Sequence, residues 1–247
     1  MKAIRTLLTA ALLLVVLRID AQEVERILLP IAFPGEIHGA FGTVWASEVL
    51  LFNDADTVLT VDGQTLNPRA FLNLNPPLSQ ALPSLGAFIY VSKNEVERAR
   101  FTSLLTDRSR AEENSGTEIP VVRERDFSNR IVLPRVPLRG DFRVALRIYG
   151  SSAAPQLARV RMYRLDRLDP FVDTTVELNG IVNVNPDPFP AYPAFFHFFE
   201  LVQQFPVLEA AASVRIEIDA VNPGETLWAF ASITNNTTQL VTSISPQ

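Results

Sequence analysis

The chain has 247 residues, with 22 basic and 27 acidic side chains, a net charge of −5 and no cysteine. That balance argues against non-specific nucleic-acid binding, which neutralises many phosphates with a basic face. Without cysteine there are no disulfides and no thiolate metal sites, so the apolar core alone must hold the fold.

Residues 1–21 read as a secretory signal peptide. Lys2 and Arg5 form a positive start, and Leu7 to Leu17 is apolar except for Thr9. That run is too short to span a bilayer. Cleavage after Ala21 leaves 19 basic and 26 acidic residues, a net charge of −7. No later stretch has the length and apolarity of a transmembrane span, so none is expected after cleavage.

The rest of the chain is a series of short segments rich in Val, Ile, Leu, Phe and Tyr, separated by Pro, Gly, Asn and Asp. This is the pattern of an all-β chain. Strands are expected at Arg26–Phe33, Val44–Phe52, Thr57–Val61, Ala87–Ser92, Arg130–Val136, Phe142–Tyr149, Leu157–Leu165, Ser213–Ile218 and Leu227–Thr234. In Phe142–Tyr149, Phe142, Val144, Leu146 and Ile148 point one way. Arg143, Ala145, Arg147 and Tyr149 point the other, as in a sheet with one wet face. Ser213–Ile218 repeats the alternation, and its charges read as a solvated face. Pro76–Leu85 and Leu201–Ala212 suggest short helical connections, and Asp107–Thr117 a mobile hairpin tip.

Three blocks recur in the same order. Arg26-Ile-Leu-Leu-Pro30 returns as Arg130-Ile-Val-Leu-Pro134. The strand Ala87–Val91 returns as Val214–Ile218, and Phe101-Thr-Ser-Leu as Phe230-Ala-Ser-Ile. An ordered internal repeat implies one structural unit used twice. The expected fold is therefore two tandem immunoglobulin- or fibronectin-like antiparallel β-sandwich modules, residues 22–128 and 129–247, after the signal peptide. The short link makes the modules pack together rather than swing.

Catalytic chemistry has little to work with. A base is most often histidine, and the chain holds only His38 and His197, one in each half. His38 lies in the glycine-rich Pro34–Gly42 link and is a ligand-contact candidate, although a loop histidine needs no such role. His197 alternates within Phe195–Phe199 and reads as a strand-face residue. There is no nucleophile elbow, acylation motif or phosphate-binding glycine loop. Clustered His or Cys for zinc is also lacking. Asn53, Asp54 and Asp56, with Asp62, would supply oxygen ligands for a weak calcium site, but they read first as turn residues. No other cofactor is expected. Tyr192, in the aromatic stretch Pro188–Phe199, and Trp228 are the candidates for stacking on a sugar ring, while Trp45 and Trp228 also suit a core.

Ile27-Leu-Leu-Pro30, Gly39-Ala-Phe-Gly42 with Trp45, Phe142–Tyr149, Leu227–Asn236, Val241-Thr242 and Pro246 carry a resemblance covering most of the chain. In these residues the chain resembles a set of exported bacterial proteins with no established activity. The resemblance implies export and a tandem sandwich-like build, and transfers no functional residue.

The leading expectation is an exported non-catalytic interaction or structural module, secreted or held in the cell envelope. Its partner would be a protein or polysaccharide at the cell exterior. A carbohydrate-binding β-sandwich protein is the alternative, and a hydrolase with an unrecognised carboxylate site comes third.

Overall fold

The structure, a computed structural model, describes residues 24–33, 35–61, 63–74, 86–112, 115–180 and 191–246. The expected signal segment, Asp62 and the expected helical connection at 76–85 lie outside the described residues. The fold is predominantly β, with all sheets antiparallel. Among the described residues no helix is long and apolar enough to cross a membrane.

Before residue 128 the strands are β1 (Val24–Leu29), β2 (Glu36–His38), β3 (Val44–Asn53), β4 (Leu59–Val61), β5 (Gln64–Leu66), β6 (Phe71–Asn73), β7 (Ala87–Ser92), β8 (Ala99–Asp107), β9 (Thr117–Glu118) and β10 (Val122–Arg123). They form sheet I, β10-β1-β7-β4-β5, and sheet II, β2-β3-β8-β9, with β6 also on β3. After residue 128 come β11 (Arg130–Pro137), β12 (Phe142–Gly150), β13 (Gln156–Arg164), β14 (Val172–Leu178), β15 (Phe195–Phe198), β16 (Ser213–Ala220), β17 (Leu227–Asn235) and β18 (Val241–Ile244). These form sheet III, β15-β12-β17-β18, and sheet IV, β11-β16-β13-β14. The connection after β15 is helical, with an α-turn at Leu201–Gln204 and a 3₁₀ segment at Pro206–Ala210.

Every ladder among these strands stays on one side of residue 128, and each pairing in the second half has a counterpart in the first. For example, β1 pairs with β7 as β11 pairs with β16, and β3 with β8 as β12 with β17. The order is not that of the immunoglobulin sandwich, where the first strand pairs with the second. Here the first strand pairs with a late one because β3 and β12 are drawn into the opposite sheets. The third sequence block also aligns one residue away from where its phenylalanines suggest. Phe101 packs toward the core between sheets I and II, whereas Phe230 faces the other half. A one-residue slip exchanges the two faces of a strand.

Alternation builds the two inner cores. Ile27, Leu29, Val49, Leu51, Ile89 and Val91 fill the layer between sheets I and II. Val144, Leu146, Ile148, Val160, Ile216 and Ala231 belong to the layer between sheets III and IV. On the outside of sheet IV, Arg161 bonds Asp219 and lies 3.4 Å from Glu217, while Arg130 and Arg215 each reach Glu217 at 3.1 Å. That charged lattice is the solvated face expected from Ser213–Ile218.

The outer face of sheet III is not wet. Leu28, Phe88 and Val122 from sheet I, together with Ile31, Phe33, Ile119 and Phe127, close on Tyr149, Phe195, Trp228 and Phe230. At roughly 1.5–3 kcal/mol for each buried apolar side chain, this third core outweighs what a hinge needs and holds the halves as one body. At its centre Tyr149 is fully buried, and its hydroxyl donates to the Pro30 carbonyl at 2.6 Å. The Phe88 amide donates to the Ala191 carbonyl at 2.8 Å beside it. Gly86 makes the approach possible: its φ is +74°, and a Cβ there would sit 3.0 Å from the Tyr149 ring. The 108–112 tip is tied down too, since Arg110 donates to the Thr237 carbonyl.

Replacing Tyr149 with Phe removes one hydroxyl and strands a buried carbonyl, which costs about 1–3 kcal/mol. The Y149F chain is expected to unfold at a lower urea midpoint with unchanged slope. An unshifted midpoint would show that the bond contributes nothing to stability.

Candidate functional site

Next to the third core the two halves separate into an open cleft of about 460 Å³. The first half supplies one wall: Ile31 and Phe33 after β1, Ile37 on β2, Trp45 on β3 and Leu105 on β8. Segment 31–33 is pinned to sheet II by Ser47, whose hydroxyl donates to the Phe33 carbonyl and accepts from its amide, both at 2.9 Å. The loop between β2 and β3 closes over Trp45, and Gly39 leaves the room for it. A Cβ on Gly39 would lie 2.6 Å from Trp45 Nε1. In the same loop Phe41 is held at φ 59° and is largely exposed. A bulky side chain in the left-handed region is strained, and such strain gathers at functional sites.

The opposite wall is the outer face of sheet III, and it is cationic. In register, His197 on β15 stands opposite Arg147 on β12, which stands opposite Phe230 on β17. Arg147 donates to Ser232 Oγ at 2.8 Å and lies over the Phe230 ring at 5.7 Å. Its Nε is shielded from solvent and has no partner. Both ring nitrogens of His197 are likewise shielded and unpartnered, and its ring lies 4.0 Å from that of Phe199. Arg143 donates to Gln239 Oε1 at 2.7 Å and caps the Phe41 ring at 4.7 Å, which leaves its Nη1 unpartnered. Gln239, buried at φ 59°, holds that arginine in place.

Burial, aided by repulsion from Arg147, pushes the His197 pKa down to about 3, so the imidazole is neutral at physiological pH. Burial also lowers the pKa of Arg147, which nonetheless stays charged. None of the described residues lining the cleft is Asp or Glu. Ser232 Oγ is engaged by Arg147, and among the described residues neither nitrogen of His197 has a hydrogen-bond partner.

The residues singled out from sequence fall elsewhere. Tyr192 and Trp228 are buried, at 9% and 4% exposure, and Trp228 belongs to the third core between the halves. At that burial neither is an exposed platform, which corrects their reading as one, although part of Trp228 borders a second open cleft of about 520 Å³ with Val122, Asp126 and Arg130. His38 is exposed on β2 and is not among the residues lining the cleft, although its neighbours Ile37 and Gly39 are. In the calcium candidate, arginines take the carboxylates. Asp54 meets Arg69 at 2.8 Å and Arg100 at 3.2 Å, and Asp56 meets Arg69 at 3.0 Å. Asn53 turns inward, its Nδ2 donating to the carbonyls of Thr57, Leu66 and Asn67.

Sequence reasoning missed Arg143, Arg147 and Trp45 as a group, and took His197 only as a strand-face residue. The available signal was Leu227-Trp-Ala-Phe-Ala-Ser-Ile233, apolar on both faces, which marks a strand covered on both sides. Arg143 and Arg147 on its neighbour therefore had to face another layer of protein rather than water.

No protein-family model, curated protein or solved structure matches this chain. The reading of the site rests on its own geometry.

With a folded pKa of about 3 against 6.5 when unfolded, His197 favours the unfolded chain once protons are abundant. Its contribution to stability is complete above pH 6.5 and is lost progressively as pH falls toward 3. The H197N chain should show a smaller fall in urea midpoint between pH 6.5 and 4 than the parent. An NMR titration of the His197 ring near pH 6.5 in the folded chain would contradict the shielding described.

Proposed function

We propose that this chain is an exported, non-catalytic binding module that acts in the cell envelope or after secretion. Two tandem sandwich modules, 22–128 and 129–247, follow a signal peptide at 1–21. They share the face-to-face packing of immunoglobulin-like domains but not their strand order. The charged and apolar pattern of residues 1–21 supports export. The observation that carries the binding reading is the cleft itself: arginine, neutral histidine and aromatic rings converge there, with no acid and no activated nucleophile beside them. Such a lining suits holding a ligand, and burial makes its one histidine a weak base.

The carbohydrate reading loses its support with the burial of Tyr192 and Trp228. A calcium-dependent variant loses its support with the pairing of Asp54 and Asp56 to arginines.

The test is retention of the purified chain on immobilised envelope fractions and on a panel of polysaccharides, in calcium and in chelator, with ester and glycoside turnover measured in parallel. Retention on an envelope fraction, unchanged by chelator and without turnover, is expected. Turnover abolished by a single substitution in the cleft, or no retention on any fraction, would overturn the proposal.

A further inference from the structure

Among the described residues, ten arginines stand against a carboxylate. Arg69, Arg98, Arg100, Arg110, Arg123, Arg125, Arg130, Arg159, Arg161 and Arg215 each have a carboxylate within 4.0 Å. Among the described residues Arg147 has none; it bonds one hydroxyl and lies over one ring. Its Nε is shielded and unpartnered on the wall of an open cleft, a placement that suits an anion from outside the chain. The neighbouring groups agree. His197 offers two shielded, unpartnered nitrogens, which in the neutral ring are one donor and one acceptor. Arg143 lies against Gln239 and under the Phe41 ring, whereas Arg147 stands directly opposite His197, which makes Arg147 the charge beside the two shielded nitrogens.

The remaining walls are apolar, from Ile31, Phe33, Ile37, Trp45, Leu105 and Phe199. A volume of about 460 Å³ lies within the usual range of sites for small organic molecules. One guanidinium beside the histidine suits one negative charge. A dianion would bring a second charge into these walls with only the partly engaged Arg143 to meet it. Resting on the binding-module reading above, we propose that the cleft binds a small monocarboxylate with an apolar ring body. The carboxylate sits on Arg147 beside His197, and the ring lies between Trp45 and Phe199. Phe41, strained and exposed over Arg143, stands at the mouth of the site.

The probe is naphthalene-2-carboxylate, with its uncharged carboxamide as the matched control, titrated into the full chain. Binding is followed by quenching of Trp45 fluorescence and by calorimetry, and the W45F chain sets the background from Trp228. Saturable binding of the acid is expected, with the amide weaker by about tenfold or more, as for loss of a charge-assisted bond. The R147Q chain should lose that preference while its circular dichroism is unchanged. Should R147Q fail to fold, the acid-over-amide preference of the parent chain still decides the matter, and R143Q should weaken the acid less than twofold. Equal binding of acid and amide, or no binding of the acid, overturns the proposal. Displacement of the probe by inorganic phosphate at similar concentration also overturns it, because the site would then read charge without the ring. If carboxylate binding fails while retention on the envelope fraction persists, this ligand assignment falls and the binding-module reading stands. Carboxylate binding without retention has the reverse meaning.

Discussion

A buried tyrosine hydroxyl must find an acceptor, and in this chain the acceptor for Tyr149 is the Pro30 carbonyl of the other half. Much of the remaining geometry is set by that bond. It fixes where the chain leaves β1, so that residues 31–33 cross to sheet II and are caught there by Ser47. It places the outer face of sheet I on the outer face of sheet III, around Phe195, Trp228 and Phe230. The ring of Tyr149 also fills the space beside Gly86, where a Cβ would crowd both that ring and the Leu29 carbonyl at 3.0 Å. The cleft is what remains where this contact ends, so its walls are as well ordered as the interface that defines them.

Electrostatics separates the surfaces with a solvated role from the one that faces a neighbour. The outside of sheet IV balances each arginine with acids in the adjoining strands, at distances where water and salt screen the residual field. The outside of sheet III carries arginine without acid, together with a histidine whose charge is suppressed by burial. Both surfaces are alternating strand faces that carry arginine. The difference lies in what covers them, and coverage decides whether a positive charge is neutralised within the chain or left for a ligand.

How much of this was legible beforehand follows the range of the signals. Strand positions and their inward residues were readable because a period of two is a local property, and Val144, Leu146 and Ile148 point inward as their spacing requires. The helical connection at 201–210 was readable from its Pro and Leu spacing. Strand order was not, because pairing β1 with β7 depends on contacts some sixty residues apart that leave no local mark. The site was hidden for the same reason. Arg147 belongs to a face that looks solvated in its own strand, and only the doubly apolar β17 beside it hints that the face is covered. Tyr192 and Trp228 drew attention as aromatic residues, yet both are buried, Trp228 in the third core. Trp45 resembles them in sequence, but its strand runs past the edge of that core.

The two halves meet head to tail: the sheet I face of one stands on the sheet III face of the next, so the contact is heterologous. Such a contact has no internal reason to stop at two, and repeated it would give an open-ended stack. The equivalent of the sheet I face in the second half is the outside of sheet IV, and there Leu28 and Phe88 give way to Val132 and Glu217 among paired arginines. A third unit would have to strip water from that charged lattice and gain little apolar contact in return. The arginine–carboxylate ladder on sheet IV thus works as a terminator, closing at two units an assembly whose joint could otherwise propagate.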